Sequence, residues 1–364
     1  MRKLLAIVAK LLGLTLILGG AYLVFWPVPV DPVAWEAPED AGYVGDYAPN
    51  TRLAALEFID ISGRKGPEDA AIGPDGLIYM ATHDGEILRS TLEGPAELFA
   101  TTGGRPLGIE FGPDGTLYIA DAFQGLMAAD ASGMVRLLTA EAEGTPILYA
   151  NDVDIAPDGR IYFTDSSMRF AAGEIGSTLA ASVLDLVEHS ATGRVLRYDP
   201  ATGDTKVLAT GLSFANGLAL DSAGDSIYVL ETGGYRLWRY PIEGGAGEIM
   251  LSNLPGFPDN LNRGSDGSLW FGLVSPRNAI MDRLSGNVFA RRLIMRLPEK
   301  MKPAPTRYGF VIRLDSQGKF MESLQDPSGD FALTTGAIPL NDGRLIVTSL
   351  TEPRLGVLPA GWQN

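Results

Sequence analysis

The chain has 364 residues, no cysteine and a formal net charge of −15, with 44 glycines and 24 prolines. Arg2, Lys3 and Lys10 contribute +3 and are the only charges in residues 1–26, so residues 27–364 carry −18; so acidic a body repels phosphate backbones and excludes nucleic acid as a natural partner. Without cysteine there is neither a disulfide framework nor a thiolate metal site, and the high Gly and Pro content describes a turn-rich globular chain.

Residues 4–26, "LLAIVAKLLGLTLILGGAYLVFW", form an apolar run long enough to span a bilayer. Its one charge, Lys10, lies in the first third and can snorkel to the interface. A cleaved signal peptide would begin similarly, with Gly19 and Ala21 as a weak small-x-small site. The run continues past that site to Phe25 and Trp26, an aromatic pair of interfacial type, which favours an uncleaved single-pass anchor. The basic N-terminus then stays in the cytoplasm and the body is extracytoplasmic. Residues 27–50, opening "PVPVDPVAWEAPED", read as a stiff Pro-rich linker.

From residue 51 onward six segments share an apolar strand, a turn built on Asp-Gly or its equivalent, and a second strand. They are "EDAAIGPDGLIYMAT", "LGIEFGPDGTLYIAD", "NDVDIAPDGRIYFTD", "NGLALDSAGDSIYVLE", "DNLNRGSDGSLWFGL" and "TGAIPLNDGRLIVTS". Short strands recurring about every 40 residues are the signature of a propeller with four strands per blade. The fold class is therefore all-β: a six-bladed β-propeller over 51–364, with an N-terminal transmembrane helix (1–26) and two helical insertions. Those insertions fall near Met168–His189 and Pro276–Arg307, where the spacing stretches. "TRLAALEFID", Thr51–Asp60, is left to close the ring against the last blade and remove the open edge.

Seven residues before each turn aspartate stand Glu68, Leu107, Asn151, Asp259 and Thr335; the same count from Ala223 in "SAGD" reaches Asn216. Rotation about the propeller axis makes these six a ring near the channel mouth. Four of them, Glu68, Asn151, Asn216 and Asp259, offer hard oxygens. Two carboxylates and two amide carbonyls suit Ca²⁺, which takes six to eight oxygen ligands, whereas zinc's usual donors are missing from a chain with only His83 and His189. Any single Asn or Asp at a strand end is ordinarily a local hydrogen-bonder; the shared register of four carries the metal reading. Asp152 and Asn260, next along their strands, should by period-two alternation face the other way.

"GPEDAAIGPDG", "GRPLGIEFGPDGTLYIADAFQGL", "NDVDIAPDGRIYFTDSS", "TGRVLRYDP", "FANGLAL" and "LPGFPDNLNR" resemble the strictosidine synthase-like proteins, nearest the adipocyte plasma membrane-associated protein branch. The resemblance covers essentially the whole chain. It implies kinship with the gluconolactonase, regucalcin and paraoxonase type of calcium-dependent propeller, whose ion is held by Glu, Asn, Asn and Asp; the matching positions are Glu68, Asn151, Asn216 and Asp259. Two departures bear on activity. The ring position where paraoxonases carry a catalytic His is Leu107. The proton-transfer Glu of plant strictosidine synthases falls at Gly336, which disfavours a C–N condensing enzyme.

The expected function is calcium-dependent hydrolysis of lactones or aryl esters, with Asp259 as base or nucleophile. A condensing enzyme, or a non-catalytic propeller stabilised by calcium, are the alternatives. The partners expected are a small-molecule substrate and the membrane. Arg105, Tyr149 and His189 are candidate substrate contacts, and His83 in "THDGE" reads as a turn residue. The insertions read either as surface helices packed on the blades or as a substrate lid.

Overall fold

A computed structural model describes residues 1–363. Six four-stranded antiparallel sheets follow one another around an axis. The innermost strands are Asp69–Ile72, Pro106–Phe111, Ala150–Ile155, Ala215–Leu220, Gly256–Arg263 and Thr334–Pro339. Each hairpin is set locally. Asp75, Asp114, Asp158, Asp266 and Asp342 each accept, at 2.9–3.1 Å, the N–H two residues on. The glycine after each takes a φ near +80°, which costs a residue without Cβ nothing.

The ring closes as expected. Glu57–Asp60 is the outermost strand of the sixth blade, pairing antiparallel with Arg354–Leu358 in the register Glu57↔Val357 to Asp60↔Arg354. The strand is shorter than "TRLAALEFID" because Arg52–Ala55 winds into a 3₁₀ turn that buries Leu53 beside Trp270, Phe331 and Trp362. Rings interlock edge to face within and between blades; Tyr79 meets Phe99 of its own blade and Phe111 of the next, each at 4.9 Å.

Among the described residues five α-helices stand outside the sheets. Helix α1 (Arg2–Phe25) buries none of its residues; its length of about 36 Å exceeds the ~30 Å hydrocarbon core, so it fits a membrane anchor. Helices α2 (Ala172–Ile175) and α3 (Thr178–Glu188) form the first insertion, α3 capped where Ser177 Oγ accepts from Ala180 N. Helices α4 (Ala279–Arg283) and α5 (Val288–Met295) form the second, with Asn278 and Asn287 as N-caps. Both insertions interrupt a blade between its second and third strands. An inner strand runs away from the ring end and the second returns to it, so both insertions emerge over the channel mouth. Turns joining third to fourth strands, such as that of Met134, lie at the far end.

The linker is not a free spacer. Its aromatic residues dock it onto the mouth: Val33 N donates to Glu188 O (2.8 Å), Trp35 N to Ser285 O (3.3 Å), and Tyr43 packs edge-on to Phe310 at 5.2 Å. Proline stiffness set its extended path, but burial of Val30, Trp35, Tyr43 and Tyr47 decides where that path lies.

Candidate metal centre and substrate pocket

Five of the six inner strands carry a β-bulge at the ring position, where the pairing slips by one residue: between Pro106 and Ile109, Ala150 and Val153, Ala215 and Leu218, Pro258 and Leu261, and Thr334 and Ala337. A bulge re-aims side chains. Here it holds the ring residues toward the mouth and breaks the alternation beyond them. Glu68, Asn151, Asn216 and Asp259, from the first, third, fourth and fifth blades, line a single cavity of about 180 Å³. The other two ring members are outside that wall. Leu107 is buried among apolar neighbours, and Thr335 spends its hydroxyl on Glu68 O at 2.6 Å.

The two amides are oriented by one repeated relay. Asn151 Nδ2 donates to Ser166 Oγ (2.8 Å), which donates to Ala215 O (2.7 Å); Asn216 Nδ2 donates to Thr232 Oγ1 (3.0 Å), which donates to Pro258 O (2.7 Å). With each NH₂ committed backwards, the amide oxygens project into the cavity, and Asn151 Oδ1 and Asn216 Oδ1 are buried without any hydrogen-bond partner. Orphaned buried oxygens call for an occupant. Ser166 and Thr232 were not among the sequence candidates. Their signal was available: each stands just after the second strand of its blade, 15 and 16 residues beyond the asparagine, the fourth-blade turn being one residue longer.

Two buried carboxylates share the floor. The pKa of Asp259 is pushed well above the usual carboxylate range by burial and then by the negative charge of Glu68. Burial also raises that of Glu68, opposed by Arg105. A pair so placed is held ionised only by positive charge nearby. Among the described residues no three His, Cys, Asp or Glu side chains cluster as metal ligands, so a cation here would depend on the amide oxygens as well as the acids. That mixture of hard oxygens, with two orphaned, fits Ca²⁺.

The remaining candidates divide. Arg105 is not in the pocket wall; it lies behind the floor, fully buried, donating to Glu68 Oε2 at 2.6 Å and Pro106 O at 3.0 Å. Tyr149 lines the cavity, its hydroxyl bonded to Thr178 O at the start of α3 (3.0 Å). His189 also lines it, in the left-handed conformation that ends α3, stacked on Trp35 at 4.0 Å and paired through Nδ1 with Ser213 Oγ at 3.0 Å. Burial, with Arg291 and Arg236 nearby, lowers its pKa to about 3 and keeps the ring neutral. His83 is exposed beside Asp84, as a turn residue would be. Asp152 and Asn260 face inward rather than away, because the bulge removes the alternation that predicted otherwise. Asp152 Oδ2 accepts from Leu218 N (2.7 Å) and Leu261 N (3.2 Å), tying three blades together across the channel, and Asn260 Nδ2 reaches Glu68 O at 2.7 Å.

Above this polar floor both insertions contribute apolar wall, through Val183 and Leu186 of α3, Met281 of α4 and Ile294 and Met295 of α5.

Family models for the N-terminal part of strictosidine synthase-like proteins and for strictosidine synthase match residues 45–90 and 151–245. The human adipocyte plasma membrane-associated protein is 34% identical over 355 residues, 90% of this chain and 83% of its own length. An Arabidopsis thaliana strictosidine synthase-like protein is 32% identical over 88% of this chain and 91% of its own. Among solved structures, a gluconolactonase from Xanthomonas campestris superposes with a TM-score of 0.60 at 18% identity, covering 90% of this chain and 98% of that one. A calcium-binding regucalcin from Agrobacterium tumefaciens gives 0.58 at 17%, covering 84% and 94%. At such identities the two structures speak for the propeller alone; the close relatives go further, and the chain belongs to the strictosidine synthase-like family that includes the adipocyte plasma membrane-associated proteins.

Proposed function

We propose that the pocket hydrolyses lactones or aryl esters and that Ca²⁺, held by Glu68, Asn151, Asn216 and Asp259, is its cofactor. The observation that carries this reading is the pair of orphaned amide oxygens beside two buried carboxylates. The fold shared with gluconolactonases and a calcium-binding regucalcin supports it. When bound, the ion supplies Lewis acidity to a carbonyl oxygen and the positive charge that the two acids demand.

The chain's own residues do the rest. Ser166 and Thr232 fix the amides, and Arg105 holds Glu68 in place, so these side chains need not reorganise during reaction. Asp259 takes a proton from the attacking water at a carboxylate oxygen, or attacks the acyl carbon itself. Either way one water adds across the acyl C–O bond, giving a hydroxy acid from a lactone, with no redox change. Neutral His189 presents a ring nitrogen rather than a cation to the substrate, and the apolar wall excludes bulk water. Gly336 leaves no Glu at the position that condensing relatives use, which is why we prefer hydrolysis to condensation; Leu107 leaves no His base at the ring, so the proton transfer falls to Asp259.

The test uses the purified full-length chain with δ-valerolactone and phenyl acetate. Turnover that needs Ca²⁺, stops with chelator and is lost in Asp259→Ala is the expected result. Absence of turnover on both substrates, with calcium still binding, would leave a calcium-stabilised binding propeller instead.

A further inference from the structure

The roof of the pocket and the end of the membrane helix are one structural unit. Arg296, directly after α5, donates Nε to Trp26 O (2.6 Å) and Nη1 to Leu23 O (3.1 Å), satisfying carbonyls that the end of α1 leaves free and placing positive charge at its negative pole. Arg292 pairs with Asp31, and buried Arg291 donates to Val33 O, Ser285 O and Leu186 O. Three arginines, Arg291 and Arg292 of α5 and Arg296 just beyond it, thus clamp the chain emerging from the helix, and that chain delivers Trp35 into the pocket wall. Since Leu23 lies within the last turn of α1, the end of α5 stands at the depth where α1 leaves the bilayer.

Two further features of the insertions agree with that position. Ile280, Phe289 and Met301 are 60%, 54% and 65% exposed, apolar side chains with no protein to cover them. The segment Pro276–Arg307 contains eight Lys or Arg and two acids, +6, so the remainder of residues 27–364 carries −24. Arg277, Arg291 and Arg296 are buried, while Arg283, Lys300 and Arg307 stay exposed; apolar residues among such exposed cations, on a basic segment of an acidic body, are what an anionic lipid surface attracts. The cavity repeats the pattern inside: polar groups on its floor, apolar side chains from both insertions above.

We propose that the mouth of the propeller rests on the bilayer and that the pocket takes long-chain, amphiphilic lactones or esters from the membrane, the carbonyl seated at the Glu68–Asp259 floor and the chain among Val183, Leu186, Met281, Ile294 and Met295. The substrate class rests on the hydrolase reading; the docking surface does not.

The absence of cysteine allows single reporters. Phe289→Cys, at the mouth, and Met134→Cys, at the opposite end, carry a polarity-sensitive thiol dye in the full-length chain reconstituted into phosphatidylcholine vesicles containing phosphatidylglycerol. The Phe289 dye should shift to the blue and be quenched by doxyl-labelled lipid, and the Met134 dye should do neither; equal responses at the two sites overturn the docking surface. In the same vesicles the unmodified protein should show a KM at least tenfold lower for δ-dodecalactone than for δ-valerolactone, with similar kcat. Turnover of δ-valerolactone without that preference overturns the substrate class alone. Turnover of neither removes the hydrolase reading and the substrate class with it, and the dyes still decide the docking surface.

Discussion

Asp259→Asn replaces a carboxylate by an amide of nearly the same shape at the point where two buried acids meet, so its effects on the calcium-free and calcium-bound protein should have different signs. With the ion at a hundred times its Kd, one site that exists only in the folded chain adds about 2.7 kcal/mol of stability. Unfolding entropy near 2.1 cal/mol/K per residue, over a propeller of roughly 310 residues, makes each kcal/mol worth about 1.5 °C. Saturating Ca²⁺ should therefore raise the Tm of the native sequence by about 4 °C. In Asp259→Asn one of two charged ligands is gone and the rise should fall below about 1 °C. The calcium-free variant should melt no lower than the native chain, because burial and the charge of Glu68 both oppose an ionised Asp259. Thermal melts with calcium and with chelator measure all four values. A variant that keeps the full 4 °C rise would refute Asp259 as a ligand, and one that loses several degrees only in chelator would refute the repulsion.

Three other substitutions probe buried charge. Asp185, on α3, has both carboxylate oxygens buried without partners, and burial lifts its pKa to about 7. Between about pH 4 and 7 the folded chain keeps a proton that the unfolded chain releases, so stability falls as pH rises through that window, by at most about 4 kcal/mol. Asp185→Asn should flatten that slope in urea midpoints at pH 5 and 8; an unchanged slope would place its origin elsewhere. Arg105→Met strands Glu68 as an unpaired buried charge and should cost about 3–5 kcal/mol in chelator. Adding Glu68→Gln should recover part of that loss. A double variant that simply sums the two single losses in urea denaturation would show the pair to be uncoupled.

What could be read along the chain was whatever a few neighbouring residues settle among themselves. The Asp-Gly turn fixes its hairpin through a hydrogen bond two residues long, and the hairpin fixes the start of the inner strand. Counting seven residues back therefore reached Glu68, Asn151, Asn216 and Asp259, which the folded chain gathers around one cavity. The closing strand Glu57–Asp60 was legible for a related reason: one unpaired edge and one spare strand have a single solution.

Tertiary structure decided the rest, because it depends on partners far away in sequence. Alternation sent Asp152 outward, and bulges drawn by contacts between blades turned it in, onto N–H groups 66 and 109 residues away. Arg105 sat beside a ring strand and looked like a substrate contact until Glu68, 37 residues earlier, claimed it. The linker's prolines spoke for stiffness, but only the folded mouth, with Phe310, Ser285 and Arg291 in place, could hold it down and bring Trp35 against His189. Backbone hydrogen bonds over a few residues can be inferred from composition and spacing; the burial of a charge or a ring depends on which surface arrives opposite, and in a closed propeller that surface comes from another blade.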